Sequence, residues 1–411
     1  MKTMKIPSGW KLCKQSDVSA FYNGRAYKLS EWETEGTPVI RLQNLTGTGN
    51  EYYYSNLKLP EHQYADNGDL LYMWSATFGP KIWQGEKAIY HYHIWKVVCK
   101  DDLLDQSFMY YNLDFITESM KSKTNGSTML HFTKKGMEEH EILLPPLAEQ
   151  QKIAEVLSTV DKKIDLIDQK IAETEKLKTG LMQKLFSEGV GVQDENGNWQ
   201  PHAAFQDSPF GKIPRAWKYA PVKSLVSIKS PKYDPKIKTE SLPCIELEHL
   251  SQGSGEILGT VNSLELASTK NCFAKGDVLF GKLRPYLKKF AKPNFNGVCS
   301  SEIWVMKTTD NKVLHNDFWF YFIQSDRFIN EANKSCGTKM PRADWKVVSE
   351  LILPIPSFCE QLGIAKILEC VDAKLGLLKQ QKAETQQLKK GLMQKLLTGE
   401  WRVPVEETEA A

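Results

Sequence analysis

The sequence predicts an α+β chain with an internal pseudo-twofold repeat: two α/β globules separated by two long helices that pair as an antiparallel coiled coil. Three observations predict it. A helical stretch occurs twice, as Glu149–Leu185 and Glu360–Leu396, at a constant offset of 211 with no gap. Roughly 21 of the 37 aligned positions are identical, far beyond what shared helical composition gives. Each copy follows a run of short alternating segments punctuated by Gly and Pro, as strands and turns are.

The helices come first because they organise the rest. Ile153, Leu157, Val160, Ile164, Ile167, Ile171, Leu181 and Leu185 recur three and four residues apart. Ile364, Leu368, Val371, Leu375, Leu378, Leu392 and Leu396 keep the same frame. Such spacing makes a narrow apolar seam with solvated Lys, Glu, Asp and Gln between its members. A helix of this kind cannot bury its seam alone, so the two copies are expected to bury it against each other. Identity reaches residues read as lying outside the seam, such as Thr174/Thr385 and Gln183/Gln394.

The globules repeat as well. Lys5-Ile-Pro-Ser-Gly-Trp10 opens the first and Lys212-Ile-Pro-Arg-Ala-Trp217 the second. Strands are expected at Thr37–Gln43 and Leu242–Glu248, then after the Gly-Asp turns at Asn67–Tyr72 and Lys275–Phe280, then at His91–Val98 and Ser301–Met306. Aromatic-rich helices follow, around Ser107–Met120 and Asn316–Glu331. Gly-containing loops at Thr124–Met129 and Ser335–Met340 lead to a Pro-rich entry into each long helix, where proline is tolerated. The expected divisions are 1–143, helix 144–188, a polar linker 189–210, 211–353, helix 354–403 and a disordered tail 404–411.

Hydrophobic content of 41% and charged content of 25% suit a soluble chain of several domains. There is no apolar run of membrane-spanning length, and Met1-Lys-Thr-Met-Lys leads into a Pro-Ser-Gly turn, so a cytoplasmic protein without a leader is expected. The eight cysteines are scattered singly, against a disulfide scaffold or a structural zinc site. The net charge of +3 is uneven: roughly 22 basic against 14 acidic residues from 211 to 353, and 16 against 17 from 1 to 143. A basic domain attracts polyanions, but charge alone makes a weak case for nucleic acid.

At this point the residues resemble a known family. Two variable globules, each closed by a helix opening of the form Pro-Pro-Leu-Ala-Glu149-Gln-Gln-Lys-Ile-Ala154, resemble the specificity subunit of type I restriction–modification enzymes. The Gly-Asp, Gly-Ser-Thr-Met and Leu-Met-Gln-Lys-Leu elements support the match over nearly the whole chain; Cys359-Glu-Gln-Leu-Gly363 departs from the pattern. The resemblance implies a non-catalytic reader of double-stranded DNA. Each globule would be a target-recognition domain reading one half of a bipartite site. The helices would set the spacer and dock two methyltransferase subunits, which carry S-adenosylmethionine and methylate adenine. Separate restriction subunits would use ATP and Mg, and no cofactor is expected on this chain.

The sequence offers no chemistry of its own. It has no phosphate-cradling Gly-x-x-x-x-Gly-Lys-Ser/Thr and no Asp/Asn-Pro-Pro-Tyr. Glu86-Lys87 lacks the residue between that a nuclease-like Glu-x-Lys needs. His91-x-His93 could be two ligands on one strand face, but no third is near, so no metal is expected. A fused methyltransferase and a coiled-coil adaptor without DNA are the competing readings; the missing motifs oppose the first, and duplicated globules with divergent loops the second.

Base reading needs cations, amides and hydroxyls on loops. In the first globule the candidates are Arg41, Gln43 and Asn44, then Ser75, Thr77 and Lys81, then Lys121, Lys123, Asn125, Ser127 and Thr128. In the second they are His249 (beside Glu246 and Glu248), then Lys282, Arg284, Tyr286, Lys288 and Lys289, then Thr338, Lys339 and Arg342. The cluster around Tyr286 is the densest basic and aromatic group in the chain.

Overall fold

A computed structural model describes residues 6–123, 133–209, 211–334 and 340–405. The chain forms two compact units, residues 1–169 with 380–411, and residues 170–379. No helix among the described residues is long and apolar enough to cross a membrane.

The first unit opens with β1 (Lys11–Lys14), α1 (Gln15–Val18), β2 (Ser19–Asn23), β3 (Thr37–Ile40), α2 (Leu42–Thr46), β4 (Tyr53–Ser55) and β5 (Tyr64–Ala65). It continues through β6 (Leu70–Ser75), β7 (Thr77–Ile82), β8 (Ala88–Tyr90), β9 (Ile94–Cys99), α3 (Gln106–Lys123), α4 (Lys134–Glu138) and β10 (Glu141–Leu144) to the long α5 (Leu147–Ser187), which passes into the second unit after residue 169. One sheet has the order β2-β9-β6-β7 and a second β4-β3-β8-β5, while β1 pairs with β10. Strand alternation builds both cores at once. Leu70 and Tyr72 of β6 pack with Phe21, Trp95 and Phe108, whereas Leu71 and Met73 pack with Ile40, Tyr90 and Ile94.

The second unit repeats this plan. After α5 come β11 (Val192–Gln193), β12 (Trp199–Gln200), β13 (Phe205–Ser208), β14 (Gly211–Pro214), β15 (Lys218–Pro221), α6 (Val222–Leu225), β16 (Val226–Ser227), β17 (Lys232–Tyr233), β18 (Pro243–Ile245) and β19 (Val261–Asn262). Then follow β20 (Lys270–Phe273), β21 (Val278–Gly281), β22 (Phe290–Ala291), β23 (Gly297–Cys299), β24 (Ile303–Thr308), α7 (Asn316–Phe322), α8 (Asp326–Asn333), α9 (Trp345–Val348), β25 (Ile352–Ile355) and the long α10 (Phe358–Leu397). The sheet orders β16-β24-β21-β22 and β17-β20-β23-β18-β19 match those of the first unit, with β17 added. The parallel pair β3–β8 recurs as β18–β23. Several details differ from the sequence reading. The strands expected at Thr37–Gln43 and Leu242–Glu248 end at Ile40 and Ile245, and each passes into a helical turn. The aromatic helix of this unit is broken at Ser325, whose hydroxyl caps α8. The polar segment expected as a linker holds the hairpin pair β11 and β12 and the strand β13, which pairs with β14 beyond it.

The repeated motifs are structural devices. In each Gly-Asp turn the glycine is left-handed (φ 97° at Gly68, 86° at Gly276), and the next carboxylate accepts from the backbone three residues back: Asp66 N to Asp69 at 2.7 Å, Ala274 N to Asp277 at 2.8 Å. Each Asp also pairs with a lysine on the neighbouring strand, Lys96 at 2.6 Å and Lys307 at 3.1 Å.

The Glu-Gln pair at the head of each long helix does more. Buried Gln150 donates to the Leu103 and Pro145 carbonyls, both at 2.9 Å, and accepts from Asp105 N at 2.9 Å. Gln361 repeats this with Val313 O at 2.9 Å, Pro356 O at 3.0 Å and His315 N at 2.8 Å. Glu149 accepts from Trp10 Nε1 at 3.0 Å and from Arg402 at 2.6 and 2.8 Å. Glu360 accepts from Trp217 Nε1 at 2.8 Å, His202 at 2.9 Å, and Val190 N and Gly191 N at 3.0 and 3.1 Å. A Cβ on Gly189 would lie 2.0 Å from that carboxylate, so only glycine fits there. The departure at Cys359–Gly363 leaves α10 unbroken. Gly363 makes room for Trp199, which a Cβ would approach to 2.8 Å.

In both units the helices run antiparallel. In the first unit Asp161 pairs with Lys389 at 2.8 Å, and Asp168, seven residues on, with Lys382, seven residues back, at 2.6 Å. In the second, Lys178 pairs with Asp372 at 2.7 Å and Glu175 with Lys379 at 3.7 Å. All fifteen expected seam residues are buried or half-buried. One correction applies: Thr174 and Thr385 are not outside the seam but buried in it, each hydroxyl bonded to a carbonyl one turn back. Beside each threonine lies a polar lock. Tyr111 donates to Asp161 at 2.9 Å, and Lys389 reaches both Asp161 and, at 3.4 Å, Asp114. Tyr321, Asp372 and Lys178 repeat it, with Gln324 at 3.0 Å where the first unit has Asp114. Burial, then the aspartate, pushes both phenols far up, so they stay protonated donors. Charged groups inside an apolar seam fix its register, because any slip leaves them unpaired.

Candidate nucleic-acid interface

The loops that leave the shared scaffold are where the two units differ. After β3 the chain turns through α2, capped by Arg41, and after β18 through a 3-10 turn capped by Glu246. Asn44 accepts from Arg41 N at 2.9 Å and donates to Gly49 O and Glu51 O; His249 Nδ1 accepts from Glu246 N at 3.0 Å. These two predicted contact residues therefore hold their turns, and the capping residues differ in charge. Gln43 lies half-buried on the same turn as Arg41.

Arg41 lies 4.0 Å over the Tyr53 ring, with its Nε buried and without a partner among the described residues. Tyr53 is followed by Trp32 at 4.7 Å and Tyr27 at 4.5 Å beyond, with Arg25 stacked on Tyr27 and paired to Glu31 at 2.5 Å. The sequence reading missed this cation–aromatic shelf, although Gly24-Arg-Ala-Tyr27 and Trp32 were visible as aromatic and basic residues beside a turn. Glu246, in contrast, is neutralised by Lys270 at 2.5 Å, a lysine only 4% exposed. A carboxylate held that way no longer repels phosphate as an isolated one would.

His91 and His93 need a correction. They lie between β8 and β9, His91 in an isolated bridge to Arg25 and His93 in the turn that follows, and not together on one strand face; their rings are 5.1 Å apart. Burial first, then His93 and Arg41, pushes His91 down to about 4, so it is neutral at pH 7. No group of three or more potential metal ligands occurs among the described residues.

The tips after the Gly-Asp strands are equivalent and strained. Ala76 (φ 57°), between Ser75 and Thr77 at the β6–β7 turn, and Arg284 (φ 53°) after β21 are both non-glycine residues in the left-handed region. In the first unit the tip is a tight turn, and Lys81 is exposed on β7. In the second, a 3-10 turn at Pro285–Leu287 enlarges it. The enlarged loop is strapped down: Arg284 N donates to Pro341 O at 2.7 Å and Ala343 N to Lys282 O at 2.8 Å.

That strapping sorts the basic candidates. Lys282, exposed Arg284 and half-exposed Tyr286 make no side-chain hydrogen bond or ion pair among the described residues, and Arg342, paired with Glu302 at 3.1 Å, is drawn beside them. Lys288 turns back to Asp326 at 2.9 Å and Lys289 to the Leu247 carbonyl at 2.6 Å. Lys121 lies at the end of α3, 3.2 Å from Glu118. Asn125, Ser127, Thr128, Thr338 and Lys339 lie outside the described residues, as does the side chain of Lys123.

A duplicated scaffold with divergent loops is what the comparison with known families bears on. Residues 7–176 and 214–387 each match the type I restriction modification DNA specificity domain. The chain belongs to this family. The type I restriction enzyme MjaVIII specificity subunit of Methanocaldococcus jannaschii is 26% identical, over 98% of this chain and 95% of its own. The EcoDI specificity subunit of Escherichia coli is 22% identical over 82% and 80%. In fold, the type I S subunit from M. genitalium superposes with a TM-score of 0.55 at 17% identity, covering 97% of this chain and 98% of that one. A chain from a study of complex assembly and conformational transition of the type I R-M system gives 0.59 at 14%, covering 97% and 100%. This type I specificity subunit thus has two recognition domains, and it is a specificity component rather than a catalyst.

Proposed function

We propose that each recognition domain reads one half of a bipartite site on double-stranded DNA, and that the paired helices set the spacer between the halves. The observation that carries this is the contrast between frame and loops. Gly-Asp turn, Glu-Gln head and Tyr-Asp-Lys lock are the same in both units, while the turn cap is Arg41 in one and Glu246 in the other. The strained tip likewise carries Ala76 or Arg284. A frame held constant under loops of opposite chemistry suits two different half-sites.

The helices dock two methyltransferase subunits, which bring S-adenosylmethionine and methylate adenine. Restriction subunits with ATP and Mg are further partners of this cytoplasmic specificity subunit, and this chain binds no cofactor of its own. Two assays test the reading: methyl transfer by the purified chain with and without its methyltransferase, and mapping of methylated adenines in the source genome. Adenine methylation only with the partner present, at an asymmetric two-part site, is the expected result. Turnover of S-adenosylmethionine by the chain alone would overturn it.

A further inference from the structure

Leu29 and Ile237 are the two most exposed large apolar side chains among the described residues, at 92% and 77%. A single exposed leucine is ordinary. These two, however, sit at equivalent places in the two units, Leu29 in the connection from β2 to β3 and Ile237 in that from β16 to β18, after the added β17. They are 208 residues apart, the offset that also relates Asp69 to Asp277 and Ala76 to Arg284. The surrounding sequences share almost nothing, so the exposure is reproduced where the residues are not.

Each tip is also braced, by a different acid. Lys28 N donates to the Glu31 carboxylate at 2.7 Å, Glu31 N donates to Lys28 O at 3.0 Å, and Arg25 holds that carboxylate from the side. In the second unit Lys236 N donates to the Asp234 carboxylate at 3.0 Å, and Ile237 N and Lys238 N donate to the Asp234 carbonyl at 3.1 and 3.0 Å. An ordered turn that projects an apolar residue loses little conformational freedom when that residue is covered. Lysines stand directly at each tip, Lys236 and Lys238 around Ile237 and Lys28 beside Leu29, with the bracing acids two or three residues off.

We propose that Leu29 and Ile237 are apolar prongs that seat on the apolar face of a base in their own domain's half-site while their lysine shoulders hold the adjacent phosphates. This rests on the reading that the two domains bind duplex DNA. Duplex DNA offers such a face in two ways, the thymine 5-methyl group in the major groove and the face of a base pair at an opened step.

The test uses the full chain with its methyltransferase partner and a pool of random-sequence duplex DNA. Wild type, Leu29→Ser and Ile237→Ser are each carried through selection, then measured on the wild-type consensus. Both side chains are exposed, so the variants fold as the wild type does. Each variant is expected to bind the consensus about fivefold to tenfold more weakly and to lose preference at a position in one half-site only, a different half for each variant. Replacing thymine by deoxyuridine there reproduces the loss if the prong meets the methyl group. A 2-aminopurine signal present with wild type and absent with the variant identifies an opened step instead. Variants that select and bind as wild type does overturn the proposal, as does loss of methyltransferase association with DNA preference intact, which would make the prongs protein contacts. If wild type itself enriches no sequence, the DNA-reading function fails and not merely the prongs.

Discussion

Substituting Gln361 tests whether the head of the second helix is held as described. Gln361→Leu keeps the side chain's bulk and removes three hydrogen bonds, to Val313 O, Pro356 O and His315 N. The glutamine is 1% exposed, so water cannot replace it at the groups left behind. At about 1 kcal/mol per bond, with a further penalty for buried groups left unpaired, the loss is about 3–5 kcal/mol. For a unit of this size that lowers the melting temperature by roughly 6–20 °C. Gln361→Glu adds a sign. One carboxylate oxygen can still accept from His315 N, but the other faces two carbonyls and must be protonated to donate. Its folded pKa is therefore raised, and its stabilising form is complete below the unfolded value of about 4.3 and lost as pH rises through the folded one. Calorimetry of the full chain should find the Glu variant close to wild type near pH 4 and well below it at pH 7, with the Leu variant deficient at both. A Leu variant melting within a degree of wild type would refute the reasoning.

Burial pushes the Asp114 carboxyl up while Lys389 pulls the other way, so the charged form costs the fold stability as pH rises through its raised pKa. Asp114→Asn should then raise the melting temperature of the first unit at pH 7, an advantage that thermal melts should show vanishing below about pH 4. At the strained tip, Arg284→Gly should fold about 1 kcal/mol more stably than Arg284→Ala, because only glycine is at ease at φ 53°. Both should relax base choice at one position by about 1–3 kcal/mol in binding assays. Inserting one heptad after Ile167 and another after Leu378 preserves the seam and adds roughly 10.5 Å to each helix. Methylation mapping should find both half-sites unchanged and the spacer longer by up to about three base pairs.

The helices, the repeat and the strands after each Gly-Asp were legible because their signals are local: a seam at fixed spacing, a turn residue before an apolar run. The roles of Glu149, Gln150, Glu360 and Gln361 were not, since apart from the Pro145 and Pro356 carbonyls their partners lie 45 or more residues away. Thr174 and Thr385 looked like surface residues because polarity was taken for exposure, although a threonine that bonds its own helix can be buried. The strands of 189–210 escaped for the same reason. At the interface the sequence pointed to Arg284, Lys282 and Tyr286 but could not separate them from Lys288 and Lys289, which only the loop's path turns inward. Asn44 and His249 carry the right chemistry for bases and also hold their own turns, Asn44 through both ends of its amide and His249 through Nδ1.

The carboxylate of Glu149 has a consequence for how such a chain could arise. It joins Trp10 to Arg402, which also donates to Ser8 O, 394 positions away along the sequence. Around Glu360 the same task falls to Trp217 with His202 and the Gly191 amide, from the segment that joins the first half to the second. Each helix head is thus completed by residues that follow the other helix. A half-length ancestor carrying one globule and one helix would have found both sides of every such contact in a second identical copy. Fusing the two copies end to end costs none of these bonds and frees the halves to mutate apart, so that equivalent turns can come to carry opposite charges, as those capped by Arg41 and Glu246 do.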